Sequence, residues 1–124
     1  MLGYRVLVAD DEPDIRDVLR RLLLSDGFCV CEAGDGVEVL AAADHYVIDA
    51  IILDILMPEM SGTEAIQKLR ADPRYATTPI LLITGSPTVR PMARPCQLGD
   101  MILLTKPLDL NQVLTMVQQM VRAA

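Results

Sequence analysis

With 124 residues, 52% of them hydrophobic, the chain has room for one domain with a real core and none for a second, and its composition is far from a disordered one. A net charge of −6 and a pI near 4.6 argue against direct nucleic-acid binding, which wants a basic face, and fit a site for a cation. No apolar stretch reaches membrane-spanning length and no signal peptide precedes the first apolar run, so the expectation is a cytoplasmic protein without membrane insertion.

Strand and helix patterns alternate along the chain. Strand one is expected at about 4–9, where Val6-Leu7-Val8-Ala9 is apolar without period-2 alternation, the mark of a strand buried on both faces. Helix one follows at about 13–25, with Pro13 in its first turn and Ile15, Val18, Leu19, Leu22 and Leu23 on one stripe; Asp26-Gly27 stops it. Strand two is expected at about 28–33. It carries Cys29 and Cys31, which with Cys96 lack metal-ligand companions and read as reduced core thiols. Helix two spans about 36–44 and ends near His45, which has no acidic or thiol partner nearby and reads as a solvated helix residue. Strand three is expected at about 49–54, and a loop with Pro58 leads to helix three at about 62–71, opened by a Ser61/Glu64 capping box. Strand four at about 79–84 and strand five at about 101–105 follow. The last helix covers about 109–122, with Leu110, Val113, Leu114, Val117, Met120 and Val121 facing inward.

The fourth helix is the exception. Residues 86–99 hold Pro87, Pro91 and Pro95, of which at most one can sit harmlessly in a first turn. An interior proline costs a helix roughly 3 kcal/mol. The expectation is an atypical or disrupted fourth helix, with 86–98 irregular or mobile. Alternating βα units with short links imply an α/β fold, a doubly wound parallel sheet of five strands.

Each of four apolar runs ends on a polar group. These are Asp10-Asp11 after the first, Asp54 after Ala50-Ile51-Ile52-Leu53, Thr84 after Ile80–Ile83, and Lys106 after Met101–Leu104. If the strands are neighbours in register, these groups meet in the crevice at their carboxyl ends, where open α/β sheets bind ligands. Crowded carboxylates repel, and a hard divalent cation with oxygen ligands, Mg²⁺, relieves the repulsion. A cation, a lysine and a hydroxyl around one carboxylate form a phosphoryl-transfer arrangement, in which the carboxylate can accept the group as an acyl phosphate. Each residue also has a plainer reading: Asp54 as a loop cap, Asp10-Asp11-Glu12 as acids at a helix start, Lys106 as a surface lysine, Thr84 as a β-former. Asp10 and Asp11 are read as serving the cation and Glu12 the helix.

In this order, Asp10-Asp11, Asp54 with Met57-Pro58 and Gly62, Thr84-Gly85 and Lys106-Pro107 resemble the signature of the receiver domain of two-component response regulators, over nearly the whole chain from Tyr4 to about Val121. The resemblance implies a single receiver domain over 1–124 with flavodoxin-like strand order 2-1-3-4-5. It implies Mg²⁺ held by Asp10, Asp11, Asp54 and the carbonyl of Leu56. It implies Asp54 as phosphoacceptor, Lys106 neutralising the phosphoryl oxygens ahead of a cis peptide bond, and Thr84 hydrogen-bonding one of them. The implied donor is a histidine kinase or histidine phosphotransfer protein, the downstream target is a protein, and the chain catalyses its own phosphorylation and dephosphorylation without being a conventional enzyme. One position departs from the family: Leu103 stands where a switch aromatic is usual, so the standard output route is not expected. Three rival readings exist. An aspartyl phosphotransferase or phosphatase wants two acids flanking one residue after strand one. A flavin-binding module wants a hydroxyl-rich loop where this chain has Asp-Asp-Glu-Pro. A phosphorylation-independent interaction module on the same fold makes no use of the acid–Lys–Thr set.

Overall fold

The structure, a computed structural model, describes residues 3–57, 59–85, 96–98 and 100–123. The elements run β1 (Arg5–Ala9), α1 (Pro13–Ser25), β2 (Cys29–Ala33), α2 (Gly36–His45), β3 (Ala50–Asp54), α3 (Gly62–Ala71), β4 (Ile80–Thr84), β5 (Cys96–Leu98), β6 (Met101–Thr105) and α4 (Leu110–Ala123). Five strands are parallel in the order β2-β1-β3-β4-β6, the arrangement expected from the sequence.

A sixth strand was not anticipated. β5 pairs antiparallel with β6 at the sheet edge, with Leu98 opposite Met101. Residues 96–98, expected to be irregular or mobile, are therefore a strand, while 86–95 with Pro87, Pro91 and Pro95 lie outside the described residues, as does Pro58.

All five residues of β3 and of β4 are buried, which is why these segments are apolar without alternation. Successive side chains feed two separate cores. Leu7, Ile51, Leu53, Ile80 and Leu82 pack with α2 and α3, whereas Val6, Val8, Ile52, Leu81 and Ile83 pack with α1 and α4. On α1, Leu19 and Leu23 are buried and Ile15 and Leu22 partly so, but Val18 is exposed. On α4, Val113, Val117, Met120 and Val121 are buried, whereas Leu110 is exposed. The two exceptions lie together. They line a shallow groove of about 370 Å³ with Ile15, Pro107 and Leu108, so the inward expectation fails where α1 and the start of α4 part. Cys31 is buried, and burial pushes its thiol up to about 11; Cys29 is exposed, which corrects its reading as a core thiol.

Local signals place the helix ends. The Gly27 amide donates to the Leu24 carbonyl and the Phe28 amide to that of Leu23, both at 3.1 Å, with Gly27 at φ 90°. This is a Schellman stop, sealed by contact of buried Phe28 with buried Leu23. Ser61 Oγ accepts from the Glu64 amide at 3.2 Å and Asp35 Oδ1 from the Glu38 amide at 2.8 Å, capping α3 and α2. At the amino ends of the strands, the buried Tyr75 hydroxyl reaches the carbonyls of Ala43 at 2.7 Å and Tyr46 at 2.8 Å and closes the end of α2. Exposed His45 lies at this end too, its ring edge-on to Tyr46. Among the described residues no helix is long and apolar enough to cross a membrane.

Candidate functional site

Register carries the acidic residues to one place. Ala9 of β1 pairs with Leu53 of β3, so Asp10 and Asp54, each the next residue, emerge side by side at the carboxyl ends of two central strands. Thr84 ends β4 beside Thr105 of β6, and the Lys106 amide donates to the Thr84 carbonyl at 2.8 Å. Lys106 follows β6 directly, and its bond to Pro107 is cis. Together with Asp11, Glu12, Leu56, Gly85 and Pro107, Asp54 and Lys106 line a cleft of about 510 Å³.

Glycines let these chains approach. A Cβ on Gly62 would lie 2.6 Å from the Asp54 carbonyl oxygen and 2.8 Å from Ile55 Cα, so only glycine lets the start of α3 seat against the end of β3. The Gly62 amide donates to the Ile55 carbonyl at 3.0 Å across this contact. At Gly85 a Cβ would stand 3.1 Å from Lys106 Cδ, in the path of the lysine stem.

Asp54 is 3% exposed. Its Oδ1 accepts from the Leu56 amide at 3.0 Å and its Oδ2 from Lys106 Nζ at 3.2 Å. Burial pushes its carboxyl above the ordinary value, and nearby Asp10 adds to the rise; the Leu56 amide and the lysine oppose it without cancelling it. For Lys106 burial alone depresses the ammonium, but Glu12, Asp10 and Asp54 outweigh it and hold the group above its ordinary range.

Asp10 is 1% exposed and is held on all sides. Its amide donates to Ala33 at 3.1 Å, its Oδ1 accepts from the Glu12 amide at 2.9 Å, and its carbonyl accepts from Arg16 at 2.7 Å. Its Oδ2 lies 3.1 Å from Lys106 Nζ, near enough for ion pairing but without hydrogen-bond alignment, so this buried oxygen has no hydrogen-bond donor. A buried, negatively charged oxygen in that state is a position for a cation. Among the described residues, carboxylate oxygens of Asp10, Asp11 and Glu12 lie within 4.8 Å of one another, an oxygen-only donor set that suits a hard divalent ion.

Two residues of this site were not read from the sequence. Glu12, assigned to the helix, stands at the N-cap of α1 but makes no side-chain cap bond; instead its Oε1 reaches Lys106 Nζ at 3.0 Å. Arg16, one turn along α1, grips the Asp10 carbonyl and pairs with Glu32 of β2 at 3.5 Å. The sequence signal for Arg16 is its place one helical turn beyond the acidic cluster, near enough to fold back on it.

The chain matches the family of the response regulator receiver domain over residues 6–118. It is 32% identical over 117 residues to the probable transcriptional regulatory protein TcrX of Mycobacterium tuberculosis, covering 94% of this chain and 49% of that one. The chain thus spans about half the length of that relative, and the same share of the DNA-binding dual master transcriptional regulator RpaA of Synechocystis, to which it is 33% identical. Among solved structures it is similar to the chemotaxis response regulator CheY4 of Vibrio cholerae, with TM-score 0.80 and 30% identity over 97% of this chain and 99% of that one. The fold is shared with the receiver domain of sensor histidine kinase PA1611 of Pseudomonas aeruginosa, whose structure holds a magnesium ion in its active-site cleft (TM-score 0.80, 23% identity, 97% and 98% covered).

Proposed function

The chain belongs to the response regulator receiver domain family, and from that premise we propose that Asp54 is its phosphoryl acceptor. One observation carries the assignment: Asp54 is a buried carboxylate at the end of a central strand, with the Lys106 ammonium 3.2 Å from its Oδ2. The reading takes residues 1–124 as one receiver domain, phosphorylated by a histidine kinase or histidine phosphotransfer protein.

In the transfer, an Asp54 carboxylate oxygen forms a bond to phosphorus as the N–P bond of the donor phosphohistidine breaks, and the leaving imidazole nitrogen keeps the bonding pair. Lys106, already aimed at Asp54, neutralises the charge that builds on the phosphoryl oxygens. Thr84, at the end of the neighbouring strand β4, supplies a hydroxyl to one of them. The Leu56 amide, donating to Oδ1, fixes the orientation of the Asp54 carboxylate in the wall of the cleft. Asp10, Asp11 and Asp54, with the Leu56 carbonyl, would hold Mg²⁺. When bound, that ion offsets the charge of the crowded acids and of the transferred group.

The chain acts on itself and has no separate substrate to turn over, which separates it from a conventional enzyme. Its acidic balance supports a protein target in place of direct contact with nucleic acid. The same reading makes it a cytoplasmic signalling protein. The test is intact-mass analysis after incubation with acetyl phosphate or phosphoramidate and Mg²⁺. One added phosphoryl group is expected, absent in Asp54→Asn; an equal yield in that variant would overturn the assignment.

A further inference from the structure

We propose that Glu12 is a displaceable counter-ion of Lys106: it holds the ammonium in the resting site and yields it to an incoming phosphoryl oxygen. The proposal rests on the reading of Asp54 as acceptor and adds a residue that reading does not use.

An ammonium has three N–H donors. Three carboxylate oxygens already surround Lys106 Nζ: Glu12 Oε1 at 3.0 Å and Asp54 Oδ2 at 3.2 Å accept its hydrogen bonds, and Asp10 Oδ2 stands 3.1 Å away as an ion-pair partner. A phosphoryl oxygen that enters is a fourth anion around one ammonium, and it competes with these three for the charge. Asp10 is fixed, being buried with its second oxygen on the Glu12 amide. Asp54 carries the new group and stays by necessity. Glu12 alone can go. Its side chain is 57% exposed and makes no cap bond to α1, so it swings into water without leaving a buried charge behind.

The backbone of Glu12 explains how the side chain is kept ready. Its amide is pinned to Asp10 Oδ1 at 2.9 Å and its carbonyl accepts the Arg16 amide at 3.2 Å, so the Cα is fixed while the carboxylate is free to turn. The resting lysine is thereby kept extended over Asp54 in place of straying to solvent, at the cost of a competitor for every anion that enters.

The sign of the effect distinguishes this role from a structural one, because damage to the site weakens anion binding and removal of a competitor strengthens it. The measurement is calorimetric titration of the full chain with beryllofluoride, a non-covalent phosphoryl mimic, in saturating Mg²⁺. Glu12→Gln keeps shape and removes charge. It is expected to bind the mimic about two- to fivefold more tightly than the wild type, the range of an exposed ion pair. The gain should shrink at about 1 M salt, where the resting pair is screened. Binding by the wild type with equal or weaker binding by Glu12→Gln overturns this proposal alone. Binding of the mimic by Asp54→Asn, or none by the wild type, removes the Asp54 reading and this proposal with it.

Discussion

Lys106 Nζ stands 3.2 Å from Asp54 Oδ2 although 52 residues separate them in sequence, and it is the cation that lets two buried carboxylates, Asp10 and Asp54, share one crevice. Lys106→Ala removes both the charge that receives the phosphoryl oxygens and the partner of the acids. Phosphoryl uptake from acetyl phosphate is expected to slow about a hundredfold, the scale of losing one preorganised donor. Time-resolved intact-mass analysis measures it; a rate within threefold of the wild type contradicts the role.

The raised carboxyl of Asp54 makes stability depend on pH in a defined direction. Because the folded protein holds this proton more tightly than the unfolded chain, stability from this group falls as pH rises from the ordinary value of 3.8 through the raised folded value, and is level above it. Asp54→Asn lacks this dependence. In chelator, the variant is expected to be the more stable at neutral pH, with the difference shrinking toward zero as pH falls through that window. Urea denaturation of both proteins across pH reads the difference; a wild type that is the more stable at neutral pH refutes it.

Asp11 is exposed and makes its main contribution as an oxygen donor beside Asp10. Asp11→Ala is expected to weaken Mg²⁺ binding at least tenfold, about 1.4 kcal/mol, and to lose phosphorylation at submillimolar Mg²⁺. Calorimetric titration with Mg²⁺ alone gives the first number independently of the reaction. Excess chelator should abolish phosphorylation in the wild type.

Gly62 has no room for a methyl group, since both atoms it would strike are backbone. Gly62→Ala must push α3 away from the end of β3, at about 1–3 kcal/mol of stability, and shift Asp54 with it. Denaturation midpoints and phosphorylation yields of Gly62→Ala against the wild type measure the displacement, and an unchanged midpoint and yield would contradict it.

Tyr75 tests the opposite end of the molecule. Its single O–H is shared by two carbonyls, so Tyr75→Phe is expected to lose about 1–2 kcal/mol of stability while phosphorylation proceeds at the wild-type rate. A slowed reaction would show that the two ends of the sheet are coupled.

The parallel sheet was legible because β3 and β4 are buried on both faces, and such segments admit little besides aliphatic residues. The site was legible for a related reason: a polar residue that ends a buried run has nowhere to go but the crevice. Val18 and Leu110 misled because helical periodicity tells which residues share a stripe and not how wide the opposing surface is; here α1 and α4 diverge and leave a groove. The antiparallel edge strand had a sequence signal in the dipeptide Gly99-Asp100, of a composition that favours tight turns, between Cys96-Gln97-Leu98 and Met101–Leu104, but the prolines before it pointed to a broken helix. Glu12 was misassigned because an acid at a helix start has an ordinary electrostatic use, and the lysine it serves arrives from 94 residues away.

Arg16 sets how portable this site is. By gripping the Asp10 carbonyl from α1 and Glu32 from β2, it makes the acidic pair part of a bracket that spans three elements. Grafting Asp10-Asp11 alone onto another parallel sheet would transfer the charges without the bracket, and the loop would relax away from its lysine under its own repulsion. A working transplant needs the continuous stretch from Asp10 through Arg16 together with an acid at the position of Glu32, so the smallest movable unit is a strand pair with its helix.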